Sequence, residues 1–165
     1  MTPQRLYQTA IRPALDELAA LGIPSSPHAA RFLLAIAIQE SGLRHRRQVT
    51  GSSGIENGPA VSFLQGEITG GLIDMLNRQA TRNYMKAICE AYNVTPTPAG
   101  LWEAIRYQDI VAFAAGRLLI YTLPFKLPAT QDEGWAQYKK AWVPGKPHPE
   151  RWPECWRIAT ETVGC

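Results

Sequence analysis

Apolar residues recur along this chain at the three-and-four spacing of α-helices, and residues typical of helix starts and stops bound the runs. Thr2-Pro3 reads as an N-cap followed by proline at the first helical position, after which Leu6, Ala10, Ala14, Leu18 and Leu21 repeat until Gly22. Pro13 falls inside that pattern and predicts a kink or a split, because proline has no N–H to offer the preceding turn. Ser26-Pro27 repeats the start signal and Gly42 the stop. Between them Ala30, Leu33, Leu34, Ala37, Ile38 and Ser41 share one face. Phe32 and Ile36 make much of the rest apolar, which predicts a buried, central helix.

The periodicity vanishes in RHRRQVTGSSGIENG (44–58), a Gly- and Ser-rich excursion into which a short hairpin fits. Helical spacing returns after Thr69 (Leu72, Ile73, Leu76) and again through Tyr84, Ile88 and Tyr92. Thr97-Pro98 opens a further helix with Trp102 and Ile105 on its inner face. Asp109 is expected to cap an almost wholly apolar helix, Ile110 to Leu123, stopped by Pro124. Thr130 and Glu133 form a T-x-x-E capping box for a helix carrying Trp135, Tyr138 and Trp142. VPGKPHPERWP ends it, and a last helical piece holds Trp156, Ile158 and Ala159. The expected fold is mainly α, one domain over residues 1–165 with six to eight helices and at most a small β-hairpin.

Composition narrows the classes. With 165 residues and 45% hydrophobic content, the chain is large enough to bury a core without disulfides. Its three cysteines, Cys89, Cys155 and Cys165, show neither a C-x-x-C nor a zinc-ligand spacing, and are expected to be free thiols. The net charge of +3 is spread along the chain, which argues against a nucleic-acid partner. The longest apolar run, Ile110 to Tyr121, contains Arg117 and falls short of a membrane span. MTPQRLYQTA carries no apolar stretch of the secretory kind, so the expectation is synthesis in the cytoplasm without a signal peptide.

Glu40 is the residue whose setting demands a chemical reason. It follows Leu33, Ile36 and Ala37 on an apolar face and stands in the last helical turn, where the negative end of the macrodipole opposes a carboxylate. Both effects disfavour the anion and suit a general acid near neutral pH. The competing reading is an exposed ion pair with Arg44, four residues on.

The stretch LLAIAIQESGLRHR (33–46) followed by GPAVSFLQ (58–65) resembles the catalytic segment of soluble-type lytic transglycosylases, in which a buried helix ends in Glu-Ser and a G-A-x-G-L-M-Q-like segment follows. Glu40 and Ser41 match the Glu-Ser pair. Ala60, Leu64 and Gln65 match the second segment, with Ser62 where a glycine is usual. DIVAFAAGRLLIYTLP (109–124) is similar to the family's later buried helix. The residues GSSGIEN (51–57) resemble an insertion, and no A-Y-N motif follows the later helix. In its place, WAQYKKAWVPGKPHPERW (135–152) is similar to the carboxy-terminal segments of small phage proteins with a lysozyme-like core.

The resemblance implies a lysozyme-like domain that cleaves the β-1,4 bond between N-acetylmuramic acid and N-acetylglucosamine, without metal or organic cofactor. Glu40 would be its one catalytic carboxylate; Ser41 and Gln65 would hold the acid and an N-acetyl group, and the backbone from Ser62 to Leu64 would line the cleft. Peptidoglycan strands are the implied substrate, with carriage in a virion or late release to the wall as the setting and other virion proteins as further partners. The rival is a non-catalytic virion structural or assembly protein on the same core. Hydrolysis by water would call on a second carboxylate, for which Glu56 and Glu67 are the candidates. Trp135 and Tyr138 are candidate sugar-stacking residues. The Arg44–Arg47 run could attract lactyl and peptide carboxylates, or phosphate, or remain a solvated basic loop.

Overall fold

The computed structural model describes residues 1–52 and 54–165; Ser53, within the stretch read as an insertion, lies outside the described residues. The first rod begins as α1 (Pro3–Leu6), with the Thr2 hydroxyl accepting from the Arg5 N–H, passes through a π-helical turn (Tyr7–Ile11) and continues as α2 (Arg12–Ala20). The α-helix is thus divided in two by a π turn just ahead of Pro13, in line with the split that the proline predicts. The wide turn is closed by the Arg12 N–H on the Tyr7 carbonyl. Gly22, at φ +101°, then turns the chain.

α3 (Pro27–Ser41) starts on the Ser26 cap and ends at Gly42, whose left-handed φ of +58° lets its N–H reach back to the Ile38 carbonyl. The expected hairpin follows as β1 (Arg47–Thr50) and β2 (Ile55–Val61), antiparallel, with Val49 opposite Glu56 and Thr50 opposite Ile55, and an irregular register between Arg47 and Val49. Beyond it Val61 and Gly66 exchange both backbone hydrogen bonds, at 2.9 and 2.8 Å, and so close a tight turn over residues 62–65.

The helices that remain are α4 (Gly71–Asp74), a single turn; α5 (Arg82–Ala91); α6 (Pro98–Ile105); α7 (Asp109–Tyr121); α8 (Gln131–Trp142); and α9 (Trp152–Val163), which a 3-10 turn (Pro149–Arg151) precedes. The chain is mainly α, and the two-stranded hairpin is its one sheet among the described residues. α3 and α7 are the buried helices. α3 packs most extensively on α9, α2 packs on α7, and their side chains join one continuous hydrophobic core.

One local expectation holds and one changes in the folded chain. Trp102 packs partly buried against the core, its indole N–H donating to the Pro59 carbonyl, and Leu101 and Ile105 are fully buried beside it. Asp109 does not cap α7; as that helix's first residue it takes both Arg46 guanidinium nitrogens, an ion pair between positions distant in sequence that no local cap rule can foresee. The pair anchors the foot of the hairpin to α7. Among the described residues no helix is long and apolar enough to cross a membrane.

Candidate active site

The apolar sequence of α3 buries the helix up to its last turn, and Gly42 stops it there, so Glu40 emerges half-buried at the edge of the core. Its Oε1 accepts a hydrogen bond of 2.6 Å from the Tyr138 hydroxyl. Burial pushes the Glu40 carboxyl above its ordinary value of 4.5, while the Tyr138 hydrogen bond and the positive charge of Arg151 oppose that rise without cancelling it. Tyr138 is raised in turn, by its own burial and by the neighbouring carboxylate. Glu40 makes no ion pair with Arg44 among the described residues, so the exposed-pair reading falls.

Beside Glu40 opens a cleft of about 380 Å3. α3 contributes Glu40 and Ser41, the hairpin contributes Arg47, Gln48, Val49 and Ala60, the turn over residues 62–65 contributes Gln65, and α8 contributes Trp142. A second depression, about 150 Å3, shares Gln65 and Trp142 with the first and extends past Glu67 to Gly70 and Gly71. The two depressions adjoin at Gln65 and Trp142, and each is walled by both polar and apolar side chains. Among the described residues Glu40 is the one carboxylate lining the larger of the two.

The sequence-predicted residues divide around this groove. Glu40 and Gln65 line the cleft; Gln65 donates from Nε2 to the Ser62 carbonyl at 2.9 Å, leaving its amide oxygen uncommitted among the described residues. Ser41 also lines it, but its hydroxyl donates to the Ala37 carbonyl (2.8 Å) and accepts from the Leu43 N–H, tying off the helix end rather than holding the acid. Ser62 and Leu64 are fully buried and stand away from the cleft. Ser62 occupies a left-handed backbone position, φ +68°, and its hydroxyl accepts from the Leu64 N–H; the Leu64 carbonyl takes the Trp142 indole N–H at 3.0 Å. Their polar groups are spent on building the turn that presents Gln65. Glu67 lines only the second depression, and Glu56, paired with His45 at 2.8 Å, lines neither part of the groove.

Neither Trp135 nor Tyr138, the candidate sugar-stacking residues, is among the residues that line the cleft. Tyr138 is only 2% exposed, its ring 5.3 Å from that of Trp152 at an interplanar angle of 14° and 5.4 Å from Trp135. It stands behind the acid as a donor with its ring fixed by aromatic packing. Trp142, which sequence spacing placed merely on the same helix face, is the aromatic that reaches the groove. Arg151 was missed because the proline-rich run around it has no periodicity to read.

No protein-family model, curated protein or solved structure matches the chain. A carboxyl group biased toward its neutral form, oriented by a fixed phenol and facing an open groove, is built to donate a proton to a ligand lying there. Because the Tyr138 hydrogen bond lowers the Glu40 pKa, Tyr138→Phe is expected to raise it. The alkaline limb of the pH–rate profile should then move to higher pH, with the maximal rate falling about tenfold as orientation is lost. A limb that stays in place would show that the phenol does not act on the acid.

Proposed function

We propose that this chain is a lysozyme-like, phage-type lytic transglycosylase that cuts peptidoglycan between N-acetylmuramic acid and N-acetylglucosamine, with Glu40 serving as acid and then as base. The observation that carries the reading is a single half-buried carboxyl, raised above its ordinary pKa and held by Tyr138, lining a cleft of about 380 Å3 that adjoins a second depression at Gln65 and Trp142. The resemblance of residues 33–46 and 58–65 to the transglycosylase catalytic segment supports the choice of substrate.

In the reaction, neutral Glu40 gives its proton to the bridging oxygen as the C1–O bond breaks and positive charge builds on C1 and the ring oxygen. The N-acetylglucosamine fragment leaves with a new 4-hydroxyl. The Glu40 carboxylate then removes the proton from the muramic acid 6-hydroxyl, whose oxygen bonds to C1 and closes a 1,6-anhydro ring. No water is consumed, and the acid returns to its starting state. This sequence needs one carboxylate, which agrees with the lining of the larger cleft. A double displacement or water attack would need a second one about 5–9.5 Å away; Glu56 is engaged by His45, and Glu67 borders the neighbouring depression.

Digesting purified peptidoglycan with the protein and weighing the released muropeptides tests the reading. Products 18 Da lighter than hydrolytic ones, as expected for loss of one water, identify the anhydro ring. Water-added products would assign a muramidase. No release by a folded protein would favour a non-catalytic virion structural role.

A further inference from the structure

On the other side of the hairpin foot, Arg5, Arg44 and Arg46 border a depression of about 680 Å3, with Phe63 and Glu56 also in its wall. Arg46 is committed: Asp109 pairs with it, and its guanidinium lies 4.4 Å from the centroid of the Phe63 ring. Glu56, the depression's one carboxylate, is taken by His45. Arg5 and Arg44 are exposed, and neither guanidinium has an ion-pair partner among the described residues. The depression therefore offers two uncompensated, forked donors. It also adjoins the cleft, because the His45–Glu56 pair forms the divide: His45 lines the cleft, Glu56 the depression.

Building on the glycan-cleaving reading, we propose that this depression receives the carboxylates of the peptide stem on the muramic acid being cut. The cleaved bond is at C1 of that sugar, so the sugar must lie beside Glu40, and the stem leaves the same ring through its lactyl ether. Arg44 follows Glu40 by four residues, so their Cα atoms are at most about 14 Å apart, the span of an extended tetrapeptide. Guanidinium forks take carboxylates in paired hydrogen bonds. Exposed pairs of this kind are individually weak, so the stem confers a preference rather than a requirement.

The test is an NMR titration of the full chain with a muramoyl tetrapeptide, run beside kinetics on stem-bearing and amidase-stripped glycan strands. Binding is expected to weaken about fivefold in the Arg5→Gln/Arg44→Gln variant, and equally for wild type when the stem carboxylates are amidated. Raising the salt to about 0.5 M should erase the difference. The stem-bearing to stripped rate ratio of wild type should fall toward one in the double variant. Equal binding by wild type and variant, no binding, or an equal response to inorganic phosphate overturns the proposal. Stripped strands keep the two readings apart: their cleavage without stem binding leaves Glu40 its role and removes the depression's, whereas stem binding without cleavage of either strand removes the transglycosylase.

Discussion

Glu40→Gln is expected to abolish release of muropeptides while making the folded protein more resistant to heat at alkaline pH. The loss of rate follows from removing the proton donor, a contribution of about 10²- to 10⁴-fold for a positioned acid. The gain in stability follows from the direction of the pKa shift. Because burial raises the Glu40 carboxyl above 4.5, the folded chain holds that proton more tightly than the unfolded chain. Stability therefore falls as pH rises from the ordinary value through the raised one, and the full penalty applies above it. Glutamine keeps the shape and an acceptor for the Tyr138 hydroxyl but never ionises. The melting-temperature gap between variant and wild type should be near zero at about pH 4 and open by about pH 8, as seen by scanning fluorimetry. A gap that is absent at both pH values would show that the carboxylate is well solvated and not biased toward its acid form.

Trp152→Ala should be the most damaging single truncation near the site. Its side chain is 2% exposed, meets Phe32 edge-on at 6.4 Å, stacks on Tyr138 and donates to the Gln131 carbonyl at 2.9 Å. Large-to-small changes at such positions cost about 3–5 kcal/mol. In a chain of this size that lowers the melting temperature by on the order of 10 °C. Cleavage should fall further than stability alone dictates, because the Tyr138 ring loses the surface that fixes its hydroxyl on Glu40. Trp135→Ala, at a half-exposed position, is the comparison: it also contacts Tyr138, yet should cost less than half as much in urea unfolding. Equal losses for the two variants would mean that the aromatic stack does not depend on Trp152.

What the sequence disclosed was local. Thr2, Ser26, Thr97 and the Thr130–Glu133 box each accept the backbone N–H their spacing predicts, because a cap depends on residues two or three positions away. The exposed-to-buried placement of Glu40 was legible for the same reason, as a charge on an apolar helix face. What stayed hidden depends on partners far along the chain. Asp109 looks like a cap until Arg46 claims it, and Ser62 looks like a cleft residue until the turn that bonds Val61 to Gly66 turns its hydroxyl inward. Trp135, Tyr138 and Trp142 share a helix face in sequence; only the packing of α8 against α9 and the 62–65 turn distinguishes the groove aromatic from the donor and the filler. Pro13 announces a break in the first helix, but the form of that break, a π turn, has no sequence signature of its own.

Gln39, the residue just before the acid, is 4% exposed and donates from Nε2 to the carbonyls of Pro147 (2.8 Å) and His148 (3.1 Å), while its amide oxygen accepts from the Cys155 thiol. The loop joining α8 to α9, which supplies Pro144 to the cleft and leads into Arg151, is thereby riveted to the very helical turn that bears Glu40. Glu40 and the Pro144 part of the cleft wall are therefore coupled, so a ligand that pries them apart works against the interior of α3 and not against a hinge.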